Sequence, residues 1–494
     1  MQATNRTSVA TYDVIVVGGG NAGLAAAIEA RNNKARVLLI EKSPKARRGG
    51  NSRYSYGDFR VITTGTRDIV ELIEREDMLK GEVEIEPLTK EFFYGEAMRL
   101  SEGLADKRLT EIFVERSLEA VRWLKEQGVR WTLNPALAFE KDGRKFFPAG
   151  NANIQAVGSG PGLVEMLYTT AESKGIFILY DTAVRRLTVD GHGRISGVVA
   201  KAADELIEFR APNVILCCGG FQASPEKRRA YLGENMDLVL LRGSPYNTGD
   251  WIRMADEIGA QFTGHWSQCH APLVSQNFIT VDGVAVTDQR YSFPYGIMVN
   301  RRGERFVDEG ENFYCWTYNR LGKEILRQPG SVAYQIFDDK VFPLVTYKDA
   351  VKVESDTLEG LAEKAGIDPE GFVASIHAFN DAVVEDGHSF VPYELDGRRT
   401  RGLNPNKTNW ACTIDKPPYR AYAVICGLTM TYGGLKTDEH ARVIDTSNRP
   451  IAGLYAVGEV TGGYFYHTYL GGSGMIRGTV MGRIAGAGAA SDFD

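Results

Sequence analysis

The stretch from Tyr12 to Glu41, YDVIVVGGGNAGLAAAIEARNNKARVLLIE, restricts this chain more than any other. Val14 to Val17 form a continuous apolar, β-branched run, as a strand covered on both faces requires. The alanine-rich AGLAAAIEARNN contains no helix breaker and reads as a helix. ARVLLIE is then a second strand. Strand, glycine turn, helix and strand in about thirty residues make a βαβ unit.

Within that unit, GGGNAG sets Gly18, Gly20 and Gly23 in the G-x-G-x-x-G pattern. Gly18 makes the tight turn. Gly20 lets backbone N–H groups approach a pyrophosphate at the helix N-terminus. Gly23 allows close packing of helix on sheet. Glu41, ending the second strand, can accept hydrogen bonds from ribose hydroxyls and repels a 2′-phosphate, so an NADP-type ligand is disfavoured. YAVGEVTGG near the C-terminus gives Gly458 and Glu459 after a short apolar strand. A distant acidic residue suits the long ribityl chain of FAD, and a simple NAD domain has no need of one. RGGNS, Arg48 to Ser52, adds a further glycine turn beyond Glu41.

Residues 66 to 130 read as mainly helical. TEIFVERSLEAVRWLKEQG is the clearest helix, with Ile112, Phe113, Ala120, Val121 and Leu124 on one face and Gly128 as its C-terminal stop. From Gly175 to Leu216, IFILY, VRRLTV, ISGVVA and NVILCCGG read as an antiparallel meander returning to a buried strand. From about 266 to 410 aromatics and Pro or Gly breaks accumulate, with a helix near GFVASIHAFNDAVVEDG. PIAGLYAVGEVTGG then returns to the N-terminal style. The expectation is an α/β fold: a Rossmann-like FAD-binding domain (βαβ plus antiparallel meander) formed by residues 1–265 and 411–494, with an inserted α+β capping domain at 266–410.

The net charge of −6 and the lack of a basic stripe with interleaved aromatics argue against nucleic acid. Six cysteines form no C-x-x-C pair and no zinc spacing, so reduced, buried thiols and no metal are expected. The N-terminus MQATNRTSVATYD lacks a signal-type apolar core, no run of about 18 apolar residues occurs, and SDFD carries no retention or lipidation signal. A cytoplasmic protein without a membrane span is expected. No Fe–S or haem ligation pattern occurs, so any electron wiring needs a separate donor or acceptor protein.

These motifs resemble the flavoprotein family of fumarate reductase and succinate dehydrogenase, most closely its tricarballylate dehydrogenase branch; the ketosteroid dehydrogenases share the superfamily. DVIVVGGGNAGLAAA, EKSPKARRGGNSR, VILCCGGF, NTGDWIRMA, HWSQCHA, VNRRGERFVDE, MTYGGLKTD and AVGEVTGGYFYHTYLGGSG carry the likeness almost end to end. The resemblance implies a two-part FAD domain, a smaller cap, and an active site between them at the flavin ring. It implies interconversion of CH–CH and C=C bonds beside a carboxylate or carbonyl of a small-molecule substrate. A hydride passes to or from flavin N5 and a Tyr/His acid–base moves the proton. FAD contacts are then expected at Gly18, Gly20, Asn21, Ala22 and Gly23, at Glu41 and Lys42, and at Arg48, Gly49, Gly50, Asn51 and Ser52. Val184, Gly219, Asp250, Gly458 and Glu459 continue the set, and Ser473, Gly474 and Met475 open the last helix, whose N–H groups stabilise negative charge on the flavin. A histidine at about Ser52 bonds covalently to FAD in membrane-bound relatives; serine cannot, so non-covalent FAD is expected.

The substrate side departs from fumarate reductases. Their substrate arginine falls on Tyr469, their histidine before TMGG near Met430, and Phe313, Tyr314 and Tyr318 occupy the stretch of their arginine acid. His270 in QCHAP still matches a substrate-site histidine. Tyr469, His467, His270, Tyr466, Tyr318 and Tyr314 are the catalytic candidates, with Arg305 of RGERFVDE as an outlying one. His192, His388 and His440 read as exposed turn residues, and His265 and His377 as packing residues. The alternatives are a dehydrogenase or ene-reductase of a steroid-like or polycyclic ketone, for which a tyrosine hydroxyl polarises the carbonyl, and a flavin electron-transfer subunit.

Overall fold

A computed structural model describes residues 11–149, 153–277 and 290–492. The first ten residues, where the reading of the N-terminus rests, lie outside this range. The chain divides into two compact units: Met1–Pro135, Ala152–Cys269 and Met430–Asp494 form one, and Ala136–Asn151 with His270–Thr429 the other.

The first unit is built on a sheet of six strands: β1 (Val14–Val17), β2 (Val37–Ile40), β3 (Phe177–Leu179), β4 (Asn213–Leu216), β5 (Arg442–Ile444) and β6 (Pro450–Ala456). Their spatial order is β5-β6-β4-β1-β2-β3. All neighbours run parallel except the edge strand β5. β1, β2 and β4 are buried at every position, which explains their unbroken apolar composition. Sequence order reverses between β1 and β4, so the turns leaving these strands meet at a topological switch point, where open α/β sheets bind ligands.

Helix α1 (Asn21–Asn32) follows β1 and packs against the C-terminal helix α2 (Ser473–Ser491). The packing is close because the contact is made by small residues. A Cβ on Gly482 would press on the Ala22 carbonyl, and one on Gly486 would collide with the Ala26 carbonyl. Asn21 Nδ2 donates to Met475 O (2.9 Å) and Thr479 Oγ1 (3.0 Å), tying the two helix starts together.

The meander is present as three antiparallel strands, Thr182–Val189, Ile195–Ala202 and Glu205–Arg210. IFILY is not part of it. That segment is β3, parallel to β2 at the edge of the main sheet, because helix Ser159–Ser173 supplies the crossover before it. The long helix expected around 110–128 is also divided. It forms Lys107–Glu115 and Ser117–Glu126, broken at Arg116 (φ −90°, ψ 6°). Ser117 causes the break: its Oγ donates to Val114 O (2.8 Å) and accepts from Ile62 N (3.0 Å), satisfying backbone groups outside the helical pattern. The apolar face is retained, with Ile112, Phe113, Ala120, Val121 and Leu124 all buried.

The second unit is α+β. Tyr419–Leu428 is its central strand, pairing antiparallel with Val332–Phe337, Leu273–Ser275 and Val353–Ser355. Helices Leu358–Ala365 and Pro369–Ala382 contribute Leu361, Ala362, Phe372, Ile376 and Phe379 to one core. His377 is not a packing residue; it lies on the exposed face of Pro369–Ala382. Arg305 and Glu309 form a buried ion pair at 2.6 Å, with the Arg305 guanidinium over the Phe379 ring, so Arg305 is built into the core.

Candidate cofactor and active site

The turn after β1 is determined by its glycines. Gly18 has φ +104°, and a Cβ there would strike the Cys217 carbonyl leaving β4. A Cβ on Gly23 would strike the Gly18 carbonyl. Gly20 differs: its nearest neighbours to a Cβ, Gly49 O and Ser52 Oγ, are 3.6 Å away. Protein packing therefore does not demand glycine at this position, whereas close approach of a ligand to the backbone does. Gly50, at φ +52°, has only Asn247 Oδ1 at 4.0 Å. Together these two glycines form a cradle at the N-terminus of α1, which carries no side-chain cap. Asn21 N–H donates to Ser52 Oγ at 2.9 Å, linking the cradle's two turns.

Glu41 is buried, its carboxylate fixed by the N–H groups of Gly19 and Ser43, each at 2.8 Å. Lys42 reaches Asp250 at 2.8 Å. Burial pushes the Asp250 carboxyl up, yet Lys42, Thr248 and Arg185 together hold it below its ordinary range. Val184 sits beside a β-bulge, between Val184 and Arg186, which interrupts strand pairing there. Gly219 takes φ +70° against the Asn247 amide. Arg48 turns elsewhere: its guanidinium binds Glu165 and Tyr180 at 2.9 Å and stacks over Tyr168, so only its backbone lies in the cradle turn.

The carboxyl of Glu459 is enclosed. It accepts from Thr431 N (2.9 Å), Asn51 Nδ2 (3.1 Å) and Gln222 Nε2 (3.4 Å). Burial nevertheless raises it to about 7. Two buried oxygens that neighbour it, Gln222 Oε1 and Thr431 Oγ1, have no hydrogen-bond partner among the described residues; both crowd the place where a Gly220 Cβ would stand, as does Glu459 Oε1. Ribityl hydroxyls, which donate and accept, match this set of oxygens. The residues present thus fit FAD at both its nucleotide and its ribityl portions.

Tyr469 is buried, with its Oη accepting the Gly474 N–H at 3.3 Å at the start of α2. Its ring meets Phe465 edge-on at 5.0 Å. Burial raises its phenol pKa, while Gly474, Arg60 and Gly472 oppose the shift, with a smaller contribution from Arg477. His467 is half-buried, with Nε2 3.6 Å from Glu102. Tyr466 is half-buried, and its carbonyl meets His265 Nδ1 at 3.0 Å. His265 is therefore not a simple packing residue: its ring stands perpendicular to His467 at 5.2 Å. The other three candidates belong to the second unit. There His270 meets Tyr318 edge-on at 5.3 Å, and Tyr291 stacks on Tyr314 at 4.9 Å and contacts Tyr318 at 4.6 Å.

Sequence reasoning passed over Tyr291, Arg60 and Arg477, and read His265 only as a packing residue. Arg60 Nε donates to Gly471 O at 2.7 Å from the neighbouring strand Asp58–Arg60. Arg477 is 3 % exposed, its guanidinium 4.3 Å from the Tyr464 ring centroid. A lone charge inside the small-residue run GMIRGTVMG was a usable signal for Arg477.

The turn at the switch point, the fixed acids and the enclosed ribityl-type site define a flavin nucleotide fold. The chain matches the FAD binding domain family over residues 13–476 and belongs to it. It is 30% identical to the probable fumarate reductase Ifc3 of Shewanella frigidimarina over 97% of this chain and 75% of that protein. An open flavocytochrome c3 fumarate reductase structure superposes with a TM-score of 0.71 at 27% identity, covering 98% of this chain and 79% of the other. The 3-ketosteroid Δ1-dehydrogenase of Sterolibacterium denitrificans shares the fold, with a TM-score of 0.70 at 21% identity over 97% of this chain and 99% of that one. The protein is an FAD-dependent oxidoreductase acting on C–C and C=C bonds. Among the described residues no helix is long and apolar enough to cross a membrane, and no cluster of three His, Cys, Asp or Glu is placed to hold a metal.

Proposed function

We propose that the protein interconverts CH–CH and C=C bonds α,β to a carboxylate or carbonyl, as a tricarballylate-dehydrogenase-like enzyme. Bound FAD supplies hydride exchange with one carbon of that bond. The residues of this chain hold the cofactor, polarise the substrate oxygen and move the proton. Gly18, Gly20 and Gly23, with the start of α1, take the pyrophosphate; Glu41 takes the ribose; Glu459 and Asn51 take the ribityl chain. Non-covalent binding follows from serine at position 52.

The observation that carries the substrate side is the contact between Tyr469 and Gly474 at the start of α2. A hydroxyl that accepts from a backbone N–H is a stronger donor in its turn. Placed at a helix N-terminus, it favours charge developing on a substrate oxygen. His467, half-exposed beside Glu102, exchanges protons with water, and Tyr466 and His265 orient that loop. His270, Tyr318 and Tyr314 remain proton-transfer candidates on the second unit. Arg60 and Arg477 oppose the rise of the Tyr469 phenol pKa; likeness to a probable fumarate reductase favours an acid. The uncharged tyrosine–amide pair also suits a ketone, so a cyclic enone is the second reading. Electrons enter or leave through a separate partner protein.

The test uses the purified holoprotein. Its flavin is reduced anaerobically by light and mixed with fumarate, cis-aconitate or 2-cyclohexen-1-one. Return of the oxidised flavin band with at least one is expected. The reading fails if none reoxidises the flavin and if succinate and tricarballylate neither bleach the oxidised flavin anaerobically nor drive reduction of an added artificial acceptor.

A further inference from the structure

The segment MTYGGL, Met430 to Leu435, carries a second buried phenol that the function above does not use. Tyr432 is 3 % exposed, and its Oη has no hydrogen-bond partner among the described residues. An enclosed hydroxyl without a partner weakens a fold, and phenylalanine would fill the same space without that cost. Tyrosine at this position therefore calls for a reason outside packing.

Its surroundings supply one. Phe465 contacts both phenol rings, 6.0 Å from that of Tyr432 and 5.0 Å from that of Tyr469. Burial pushes the Tyr432 phenol well above its ordinary range, and the Cys269 thiol and Tyr469 phenol add to this. The two hydroxyls are thus within electrostatic reach of one another in a water-poor region. The backbone carrying Tyr432 is held rigidly. Thr431 N–H donates to Glu459, and a Cβ on Gly433 would strike the Trp266 indole. A fixed, desolvated donor beside another donor is the arrangement that stabilises charge arising on an oxygen.

We propose that Tyr432 contacts the substrate, its hydroxyl donating to the carboxylate or carbonyl oxygen beside Tyr469. This rests on the function proposed above and narrows the ligand to one whose oxygen is conjugated with the reacting C=C bond. Both donors are neutral, so they accept a ketone or an acid, and their grip tightens as enolate character develops.

The test compares Tyr432→Phe with wild type as holoproteins. Turnover is read with fumarate, cis-aconitate and 2-cyclohexen-1-one, and probe binding by the shift of the flavin absorption band. FAD content and the apoprotein Tm are measured alongside. Expected are a fall in kcat/KM of about 30- to 300-fold, weaker probe binding, unchanged FAD content and an equal or higher Tm. A kcat/KM within about twofold of wild type, or a clearly lowered Tm, overturns the inference, because the hydroxyl then serves packing. If wild type binds a probe without reducing it, the proposed function fails alone; binding must still weaken in Tyr432→Phe, and unchanged binding overturns the inference. If wild type binds none of the three, both fail.

Discussion

Enclosure raises the Glu459 carboxyl to about 7, and the donors around it recover only part of the lost solvation. In an unfolded chain a glutamate titrates near 4.3. A carboxyl raised by folding costs nothing below about pH 4, where both states are neutral. The penalty grows through the window up to about 7 and is complete above it. Glu459→Gln apoprotein is therefore predicted to be more stable than wild type at pH 8, by up to about 4 kcal/mol, and equal near pH 4. Urea unfolding of both apoproteins at the two pH values checks this; equal stability at pH 8 contradicts it. The turn glycines Gly18 and Gly23 were legible in the sequence because contiguous residues determine a turn's geometry. Arg60, His265, Tyr432 and Arg477 were not, because their neighbours come from distant segments. His265 meets a loop 201 residues away, and no local pattern encodes such a meeting.

At the scale of elements, the βαβ unit and the return strand were legible from apolar runs and glycine turns. Two readings needed tertiary information. A periodic apolar face did not reveal the break at Arg116, because one of the two bonds that hold Ser117 there comes from Ile62, 55 residues away in sequence. IFILY is apolar in either a meander or a parallel edge, and the helix before it decides. The α1–α2 contact yields a sharp prediction. Gly486→Leu inserts a side chain where even a Cβ collides with Ala26 O. Backbone must move, so a loss of about 2–4 kcal/mol is expected. Because Asn21 and Met475 are tied across the same contact, FAD content of the purified variant should fall too. Wild-type Tm and full flavin occupancy in Gly486→Leu would refute the packing account.

For the whole molecule, the cofactor motifs come from three separate chain segments that fold into one unit. FAD that binds only the folded unit must stabilise it. Free FAD at about 100 times its Kd is predicted to add roughly 2.7 kcal/mol to stability, with a Tm that climbs with FAD concentration. A Tm independent of added FAD would count against this. Acid precipitation should release all the flavin into the supernatant, since Ser52 offers no covalent link; yellow colour retained in the pellet would refute that. The central claim is that Tyr469 at the start of α2 polarises the substrate oxygen while FAD performs the redox step. Stopped-flow reoxidation of reduced holoprotein by the best alkene, in wild type and Tyr469→Phe, tests it most directly. The predicted result is rapid reoxidation in wild type and a rate about 10²–10³-fold lower in the variant, with FAD content unchanged. Equal rates in the two proteins would contradict it.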